Sequence, residues 1–270
     1  MRRAWRGGVS LDLLEAALLG VVQGLTEFFP VSSSGHLVLF GKWLGVDEEG
    51  IVFEVAVHAA TLVAVLVFYR HRIGALVGGV LRRDADAWRY AMKLALGTVP
   101  AVVAVLLAKD FFEGLYESIA PVGLALCFTG AVVYSTRYTL PRADLPEPSW
   151  GAAFWIGCAQ AIAIVPGVSR SGSTVAAALA LGVAPAVAAE FSFLLSIVAI
   201  VGAVVLQVPD LLAVSPEGLT AIAVGGVMAL FSGLAALTLF VRLLQSQAFH
   251  RFAWYVVPLG LFVLLSSALG

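Results

Sequence analysis

The sequence predicts an all-α integral membrane protein with six transmembrane helices and two re-entrant helix hairpins, arranged as an inverted-topology repeat. Three observations predict this fold. Hydrophobic residues make up 61% of the 270-residue chain and charged residues only 12%, against roughly 25% charged residues in an ordinary soluble domain. Long apolar runs alternate with short ones that polar residues interrupt, and the two halves of the chain share a motif.

Six apolar runs are long enough to cross a bilayer, which takes about 20 residues. They cover residues 51–69, 88–108, 118–138, 186–207, 218–241 and 252–269. Four shorter pieces, at about 11–28, 35–45, 151–165 and 171–183, are interrupted or bounded by polar residues, glycine and proline. Because these pieces are too short to span the membrane, we expect them to form two hairpins that enter and leave it on one side.

The internal repeat defines the organisation of the single membrane domain, residues 1–270. QGLTEFFPVSSSGHLV, from Gln23, aligns with QAIAIVPGVSRSGSTV, from Gln160, with identical residues at six of the sixteen positions. We assign 1–138 to the first repeat, with its hairpin at about 11–45, and 139–270 to the second, with its hairpin at about 151–183. Three crossings separate the hairpins, which therefore enter from opposite faces and should meet near the middle of the bilayer.

The distribution of charge predicts the orientation. Arginines gather in the loops after the first, third and fifth crossings, a bias typical of the cytoplasmic side; they are Arg70, Arg72, Arg82, Arg83, Arg89, Arg137, Arg142, Arg242 and Arg251. The same orientation places Arg2, Arg3 and Arg6 outside, against the trend. With a net charge of -1 the chain offers no basic face to a phosphate backbone, so we expect a bilayer and no nucleic acid as its environment.

Polar residues gather where the hairpins are broken. Pro30 and Gly35 interrupt the first hairpin, and Pro166, Gly167 and Gly172 interrupt the second. Non-helical backbone at membrane depth is tolerated only where protein or a water-filled cavity satisfies its polar groups. We expect a new helix to begin at about Gly35 and another at about Gly172. Their free N–H groups and positive dipole ends are suited to an anion such as phosphate.

The side chains at the breaks favour the same interpretation. An embedded Arg170 costs roughly 2.5 to 3.5 kcal/mol on insertion scales, and its guanidinium offers paired donors to phosphate oxygens. Glu27 could partner it, which leaves a purely structural alternative, a buried ion pair that joins the two halves. The serines before the new helix could likewise be helix caps. His36 follows Ser33 by about one helical turn, so the two side chains could meet as base and nucleophile.

Two further polar residues lie within the first crossing. Glu54 and His58 are four residues apart on one helical face, so they either reach the cavity or pair with each other. We favour the pair. Glu190 lies at nearly the equivalent position of the second half, and we expect it to share the structural role of Glu54.

At these residues the chain resembles a known family. QGLTEFFPVSSSGH is similar to the (Glu/Gln)-x-x-x-Glu motif and serine-rich turn of the bacitracin-resistance type undecaprenyl-diphosphate phosphatases, and PGVSRSGST is similar to their second signature, PG-x-SRS-x-x-T. The resemblance covers essentially the whole chain and implies a catalytic core of Glu27, Ser33, His36 and Arg170. Around it the resemblance implies a phosphate-binding set and one supporting residue: Ser32, Ser34, Gly35, Ser169, Ser171, Gly172 and Thr174, with Gln23 in support.

The resemblance also implies an activity. The terminal phosphate of a long polyprenyl diphosphate would be removed in the bacterial plasma membrane, at a site that opens to the outer side, to regenerate the carrier lipid for cell-wall synthesis. A divalent cation, Mg²⁺ or Ca²⁺, is implied, and we expect Glu27 to be its protein ligand beside the diphosphate. Gln23 stands where the motif also accepts Glu, which leaves one fewer carboxylate for metal or proton handling.

The residues leave the mechanism open. We expect Ser33 to attack phosphorus while Glu27 or His36 accepts its proton. His36 as the nucleophile, or direct attack by water, stays an alternative. The sequence does not choose between Glu27 and His36 as the base.

Other functions are also open. Inverted repeats and broken helices are typical of transporters or flippases, in which Arg170 and the helix ends would bind an anionic substrate. A nucleophile beside a base favours an enzyme instead. A histidine-nucleophile lipid phosphatase would need a second catalytic histidine followed by an acidic residue, and neither His58, His71 nor His250 stands in such a setting. The sequence does not fix the oligomeric state, and a homodimer stays among the alternatives.

Overall fold

The computed structural model describes residues 12–44, 50–115, 119–211 and 216–269, and in these ranges the chain is almost entirely helical. An isolated parallel bridge between Leu145 and Val183 is the β pairing found there. The α helices of the described ranges are α1 Leu13–Phe28, α2 Ser33–Leu44, α3 Gly50–Phe68, α4 Arg70–Leu81, α5 Ala85–Gly114, α6 Ile119–Thr139, α7 Trp150–Ile162, α8 Arg170–Ala180, α9 Pro185–Leu211, α10 Pro216–Gln245 and α11 Ala253–Leu269. Short 3₁₀ turns occupy Leu140–Arg142 and Phe249–Phe252.

The all-helical membrane fold is confirmed, with five or six spans. In the described ranges, five segments are long and apolar enough to cross a bilayer: Ala85–Ala108, Ile119–Arg142, Pro185–Gly202, Gly218–Gln245 and Phe249–Ala268. A sixth span requires Val52–Phe68 and Arg70–Leu81 together, which are bent by 76°. These segments correspond to the six predicted crossings.

The segment after the first crossing differs from its prediction. The arginine-rich stretch that we expected to be a loop forms helix α4 over Arg70–Leu81. Tyr69 leaves the helical conformation, with φ -96° and ψ 16°, and the chain turns there. The apolar run ends at this point and charged residues follow, so a sharp bend keeps Arg70 and Arg72 from continuing along the axis of α3. The N-terminal arginines Arg2, Arg3 and Arg6 lie outside the described residues.

Two pairs of short helices are each separated by a tight turn: α1 from α2 at residues 29–32, and α7 from α8 at residues 163–169. The turns contain left-handed backbone, with φ 69° at Ser32 and φ 95° at Gly167. A positive φ is natural for glycine and uncommon for serine. The new helices begin at Ser33 and Arg170, two residues before the predicted starts at Gly35 and Gly172.

Each broken pair packs against a long helix from the other half of the chain. Helix α1 lies on α10, and α7 lies on α5. A Cβ atom on Gly20 would lie 2.2 Å from the carbonyl oxygen of Gly225, and one on Gly157 would lie 2.2 Å from that of Gly97. The helix backbones therefore touch directly, which is the close approach that small residues permit in membranes.

An aromatic chain holds the end of α1 in place. Phe28 makes an edge contact with Phe193 of α9 at 5.6 Å, Phe193 with Phe240 of α10 at 5.1 Å, and Phe240 with Phe249 at 5.4 Å, measured between ring centroids. All four side chains are buried in the main hydrophobic core. Edge contacts of this kind add about 0.5 to 1.5 kcal/mol each to the burial of area. The residue next to Phe28, Glu27, is thereby fixed.

Candidate active site

The two turns meet in the interior. A Cβ atom on Gly172 would lie 3.1 Å from Cβ of Pro30, and one on Gly35 would lie 3.3 Å from Cα of Gly167. Each turn thus packs on the first residues of the other pair's new helix. The Ser171 hydroxyl also donates a 3.2 Å hydrogen bond to a carbonyl oxygen of the first turn. The predicted meeting of the two polar stretches is therefore observed.

Matching serines cap the two new helices. Ser32 Oγ accepts from the Gly35 N–H at 3.2 Å, and Ser169 Oγ accepts from the Gly172 N–H at 3.1 Å. The capping alternative is thus observed for Ser32, and Ser169 has the same role in the second half. The caps use the two glycine N–H groups that we expected to be free for an anion. Each cap hydroxyl also lies 3.3 Å from a second serine hydroxyl, that of Ser34 in one half and of Ser171 in the other.

The unpaired donors lie one or two residues earlier. In the described ranges, four N–H groups at these helix starts have no hydrogen-bond acceptor: those of Ser33, Ser34, Arg170 and Ser171. The first N–H groups of a helix have no partner within it, and they carry the positive end of its dipole. Two sets of such donors at one meeting point can bind a doubly charged anion.

Glu27 is the hub of the site and is buried, with 7% of its surface exposed. Its Oε2 accepts from the Ser33 hydroxyl at 2.7 Å and from the Gln23 amide at 3.1 Å. Its Oε1 accepts from an Nη atom of Arg170. The ion pair that joins the halves is therefore formed, and it also places the guanidinium within reach of Ser33.

Arg170 has a donor to spare. One of its terminal nitrogens is bound to Glu27, while the other, Nη1, is buried and has no partner in the described part of the chain. A buried N–H without an acceptor costs about 1 to 3 kcal/mol. An anion that enters the site would remove this cost, and a phosphate oxygen has the geometry that a guanidinium binds best.

His36 does not meet Ser33, although their spacing permits it. Its Nδ1 lies 2.7 Å from the carbonyl oxygen of Ser32, and its Nε2 lies 2.8 Å from the hydroxyl of Tyr255 on α11. The His36 and Tyr255 rings are stacked, with centroids 5.7 Å apart. Since a carbonyl can only accept, Nδ1 carries the proton and Nε2 accepts from Tyr255. Both ring nitrogens are thus engaged, and Glu27 is the group that contacts the Ser33 hydroxyl.

Thr174 lies away from the helix starts. Its hydroxyl donates 2.8 Å to the carbonyl of Arg170 and lies 2.5 Å from the hydroxyl of Ser192 on α9, and its side chain is fully buried. These bonds attach α8 to α9. The geometry gives Thr174 a supporting position behind Arg170.

His58 belongs to the site, although its sequence pattern favoured a pair with Glu54. Its Nε2 lies 3.5 Å from Oε2 of Glu27, and its Nδ1 lies 2.8 Å from the main-chain carbonyl of Glu54. The expected pair between the two side chains is not formed. The spacing of four residues on α3 was the available signal, and it identified the face but not its partner.

Thr129 and Tyr255 carry no sequence signal of a role. The Thr129 hydroxyl on α6 donates to the carbonyl of Gly167 and accepts from the N–H of Ser169, both at 2.9 Å. It thereby fixes the second turn from outside. Tyr255 is 219 residues from His36 in sequence, so only the folded chain shows their contact.

A second charged cluster lies at the α4–α5 side of the molecule. Glu190 accepts from Arg72 at 2.8 Å and from the Tyr90 hydroxyl at 3.2 Å, so it does not share the surroundings of Glu54. A cavity of about 710 Å³ adjoins this cluster and is lined also by Arg82 and Glu147. Its acidic and basic groups are mixed.

The residues around Glu27 fit a divalent cation that is shared with a substrate. Within the described ranges, no three His, Cys, Asp or Glu side chains come close enough to hold a metal ion by themselves. Glu27 and the buried Oε1 of Gln23, which has no partner in these ranges, are oxygen donors of the kind that Mg²⁺ and Ca²⁺ prefer. A diphosphate would supply further oxygens and would add more negative charge than Arg170 alone balances.

The fold and the site define a multi-pass membrane protein with a serine, a carboxylate and a guanidinium at the junction of two broken helix pairs. The chain belongs to the family of the bacitracin resistance protein BacA, whose family model matches residues 16–262.

Named relatives align over almost the full chain. Undecaprenyl-diphosphatase of Desulfatibacillum aliphaticivorans is 40% identical, with 94% of this chain and 98% of the relative covered. The enzyme of the same name from Desulfosudis oleivorans is 39% identical, with 93% and 97% covered. That from Methanosphaera stadtmanae is 34% identical, with 95% and 99% covered.

Proposed function

We propose that this protein hydrolyses undecaprenyl diphosphate to undecaprenyl phosphate and inorganic phosphate. Membership of the BacA family and the shared name of the relatives support this activity. The reaction returns the monophosphate carrier lipid to cell-wall synthesis, and the family description connects it with bacitracin resistance. The observation that carries the proposal is the Ser33 hydroxyl, bonded to Glu27 at 2.7 Å beside a guanidinium with a free donor.

The first half of the reaction transfers a phosphoryl group to the protein. Arg170 and the N–H groups at the two helix starts hold the terminal phosphate. Ser33 Oγ forms a bond to its phosphorus, Glu27 accepts the hydroxyl proton, and the anhydride P–O bond breaks so that undecaprenyl phosphate leaves. The guanidinium and the helix ends stabilise the negative charge on the equatorial oxygens. A bound divalent cation supplies charge neutralisation of the diphosphate.

The second half releases phosphate. After the proton taken from Ser33 has passed to solvent, water attacks the phosphoserine, and Glu27 accepts a proton from this water and returns it to Oγ as the P–O bond to Ser33 breaks. Positioning and charge stabilisation are the main demands of phosphoryl transfer. His36, bonded to Ser32 and Tyr255, holds the start of α2 in this geometry.

The arrangement in the membrane is part of the proposal. We place α1–α2 and α7–α8 as re-entrant hairpins of an inverted repeat, in the bacterial plasma membrane, with the site open to the outer side. The exchanged packing, in which each broken helix pair packs on a long helix of the other half, supports the repeat. Helix α1 lies on α10 and α7 lies on α5, and in both contacts a glycine of one helix touches a glycine of the other. All three reacting side chains come from one chain, so a homodimer is not required for the chemistry.

The test is phosphate release from a C55 polyprenyl diphosphate by the purified protein in detergent. We expect release with Mg²⁺ or Ca²⁺ and its loss with chelator. A folded protein that releases no phosphate with lipid and cation present would contradict the proposal and favour the transporter alternative. In a transporter, Arg170 and the helix ends would bind the substrate, but the bond between Ser33 and Glu27 would have no purpose.

A further inference from the structure

We propose that His58 is a nitrogen ligand of the divalent cation, together with Glu27 and the amide oxygen of Gln23. The inference rests on the proposed function only for the presence of a cation at this site. It adds an imidazole to a centre for which the motif residues provide oxygen ligands alone.

The orientation of the His58 ring determines which ring nitrogen is available to a metal ion. Its Nδ1 lies 2.8 Å from the carbonyl oxygen of Glu54, and a carbonyl only accepts, so Nδ1 holds a proton. In the neutral ring the lone pair is then on Nε2, which faces Oε2 of Glu27 at 3.5 Å. Histidines that bind metals usually donate their other N–H to a carbonyl or carboxylate in this way. His36, in contrast, has both nitrogens engaged.

The separation of the two atoms supports a shared ion. Two ligand atoms, each about 2.1 Å from a cation, are roughly 3 to 3.5 Å apart when they occupy adjacent coordination positions. The observed 3.5 Å between Nε2 of His58 and Oε2 of Glu27 agrees with this spacing. A lone pair that faces a carboxylate oxygen is repulsive unless a proton or a cation lies between them.

Gln23 gives an independent indication of a ligand. Its side chain is fully buried, and its Oε1 has no hydrogen-bond partner in the described part of the chain. The amide cannot be turned around, because its Nε2 must face the Glu27 carboxylate, to which it donates at 3.1 Å. A buried amide oxygen without a donor, on a side chain whose nitrogen contacts the Glu27 carboxylate, is suited to a cation.

The consequence is a preference among ions. An imidazole ligand favours transition metals, whereas Ca²⁺ takes oxygen ligands. We therefore expect the protein to bind Co²⁺ and Mn²⁺ more tightly than Ca²⁺. Replacing His58 by glutamine, which offers an oxygen, should lower the affinity for Mn²⁺ at least tenfold and change that for Ca²⁺ much less.

The test is pulsed electron paramagnetic resonance of Mn²⁺ bound to the purified protein, alone and with methylenediphosphonate. We expect a ¹⁴N coupling from one imidazole, lost in His58→Gln and retained in His71→Gln, since His71 is exposed on α4. Wild-type protein labelled with ¹⁵N-histidine should show the matching isotope change, which identifies a histidine ligand even where His58→Gln does not fold.

The possible outcomes separate the two proposals. Bound Mn²⁺ without histidine coupling, or no Mn²⁺ binding with or without the diphosphonate, would overturn the assignment of His58. Phosphate release from the C55 diphosphate is measured in parallel. Histidine coupling in a protein that releases no phosphate would support the ligand and contradict the proposed function. Phosphate release with Mg²⁺ but without histidine coupling would do the reverse.

Discussion

Ser33 Oγ donates a 2.7 Å hydrogen bond to Oε2 of Glu27 across the turn that separates α1 from α2. The serine is the first residue of its helix, and the glutamate is the residue before the last of the preceding one. The turn therefore brings a hydroxyl and a buried carboxylate together within seven residues of sequence. This contact leads to a prediction about the effect of removing the Ser33 hydroxyl.

Ser33→Ala should reduce phosphate release by at least about 10³-fold, because general acid–base catalysis alone typically contributes about 10² to 10⁴ in rate and loss of a nucleophile costs more, up to about 10⁶. The thermal midpoint should change little, since the hydroxyl is partly exposed. Turnover of the C55 diphosphate is the measurement. Ser135→Ala is the matched control, because that hydroxyl bonds only within α6. A near-normal rate in Ser33→Ala would exclude this residue as the nucleophile.

The identity of the nucleophile also predicts the chemistry of the intermediate. Rapid quench of a single turnover with labelled substrate should trap a phosphoenzyme that is stable in acid, as a phosphoserine is and a phosphohistidine is not. His36→Gln should retain a measurable rate, roughly 1 to 10% of wild type, because its ring contacts Ser32 and Tyr255 rather than Ser33. An acid-labile label that disappears in His36→Gln would instead make His36 the nucleophile.

Arg170→Lys tests the use of paired donors. Lysine keeps the charge but places all its donors on one nitrogen, so it cannot reproduce the two separate donor nitrogens that Arg170 offers to Glu27 and to a phosphate oxygen. We expect kcat/KM to fall about 10²-fold, in the range of lost transition-state donors. Arg137→Lys, at an exposed arginine at the end of α6, should leave kcat/KM unchanged. Equal effects of the two substitutions would indicate a general charge effect instead.

Close helix packing predicts two matched losses of stability. Gly20→Ala and Gly157→Ala each place a methyl group 2.2 Å from a carbonyl oxygen of the facing helix, so α1 must move from α10, or α7 from α5. The thermal midpoint in detergent should fall in both. Gly74→Ala meets nothing within 4 Å and should raise the midpoint slightly, since alanine favours a helix by about 1 kcal/mol over glycine. An unchanged midpoint in Gly157→Ala would contradict direct contact with α5.

Thr129→Val should loosen the second turn. The substitution keeps the shape but leaves the Gly167 carbonyl and the Ser169 N–H without their shared partner. Two buried groups without partners cost about 1 to 3 kcal/mol each, so the thermal midpoint should fall. Thr238→Val, whose hydroxyl is exposed and bonds within α10, is the control. Equal thermal midpoints for both variants would show that the two hydrogen bonds of Thr129 do not contribute to stability.

The features of the site that depend on residue type alone could be predicted from the sequence. Proline and glycine indicate where the helices break. An embedded arginine favours an anionic partner, and Glu27, one of the alternatives, is the partner observed. The predicted helix starts at Gly35 and Gly172 lie two residues late, because Ser32 and Ser169 are the caps and the new helices begin directly after them.

Contacts between distant segments that neither the repeat nor a charge pattern marks could not be predicted. The spacing of His36 and Ser33 permits them to meet, but the His36 ring reaches Tyr255 of α11, and no motif or charge pattern in the sequence indicates this contact across 219 residues. His58 shows a subtler limit. The spacing to Glu54 identified a polar face on α3, yet the main chain of Glu54 satisfies one ring nitrogen and leaves the other for Glu27.

The exchanged packing of the broken helices has a consequence for how the gene can be divided. Glu27 and Ser33 come from one half of the chain and Arg170 from the other, and each half covers the glycine surface of its partner. Cutting the chain between α6 and α7 gives two fragments that keep their spanning helices. In each fragment, the glycine-lined helix surfaces that pack on the other half would be exposed to lipid. Two such fragments produced together could associate and restore the site. Either fragment alone would contain only part of the site and would lack the long helix against which its broken helix pair packs.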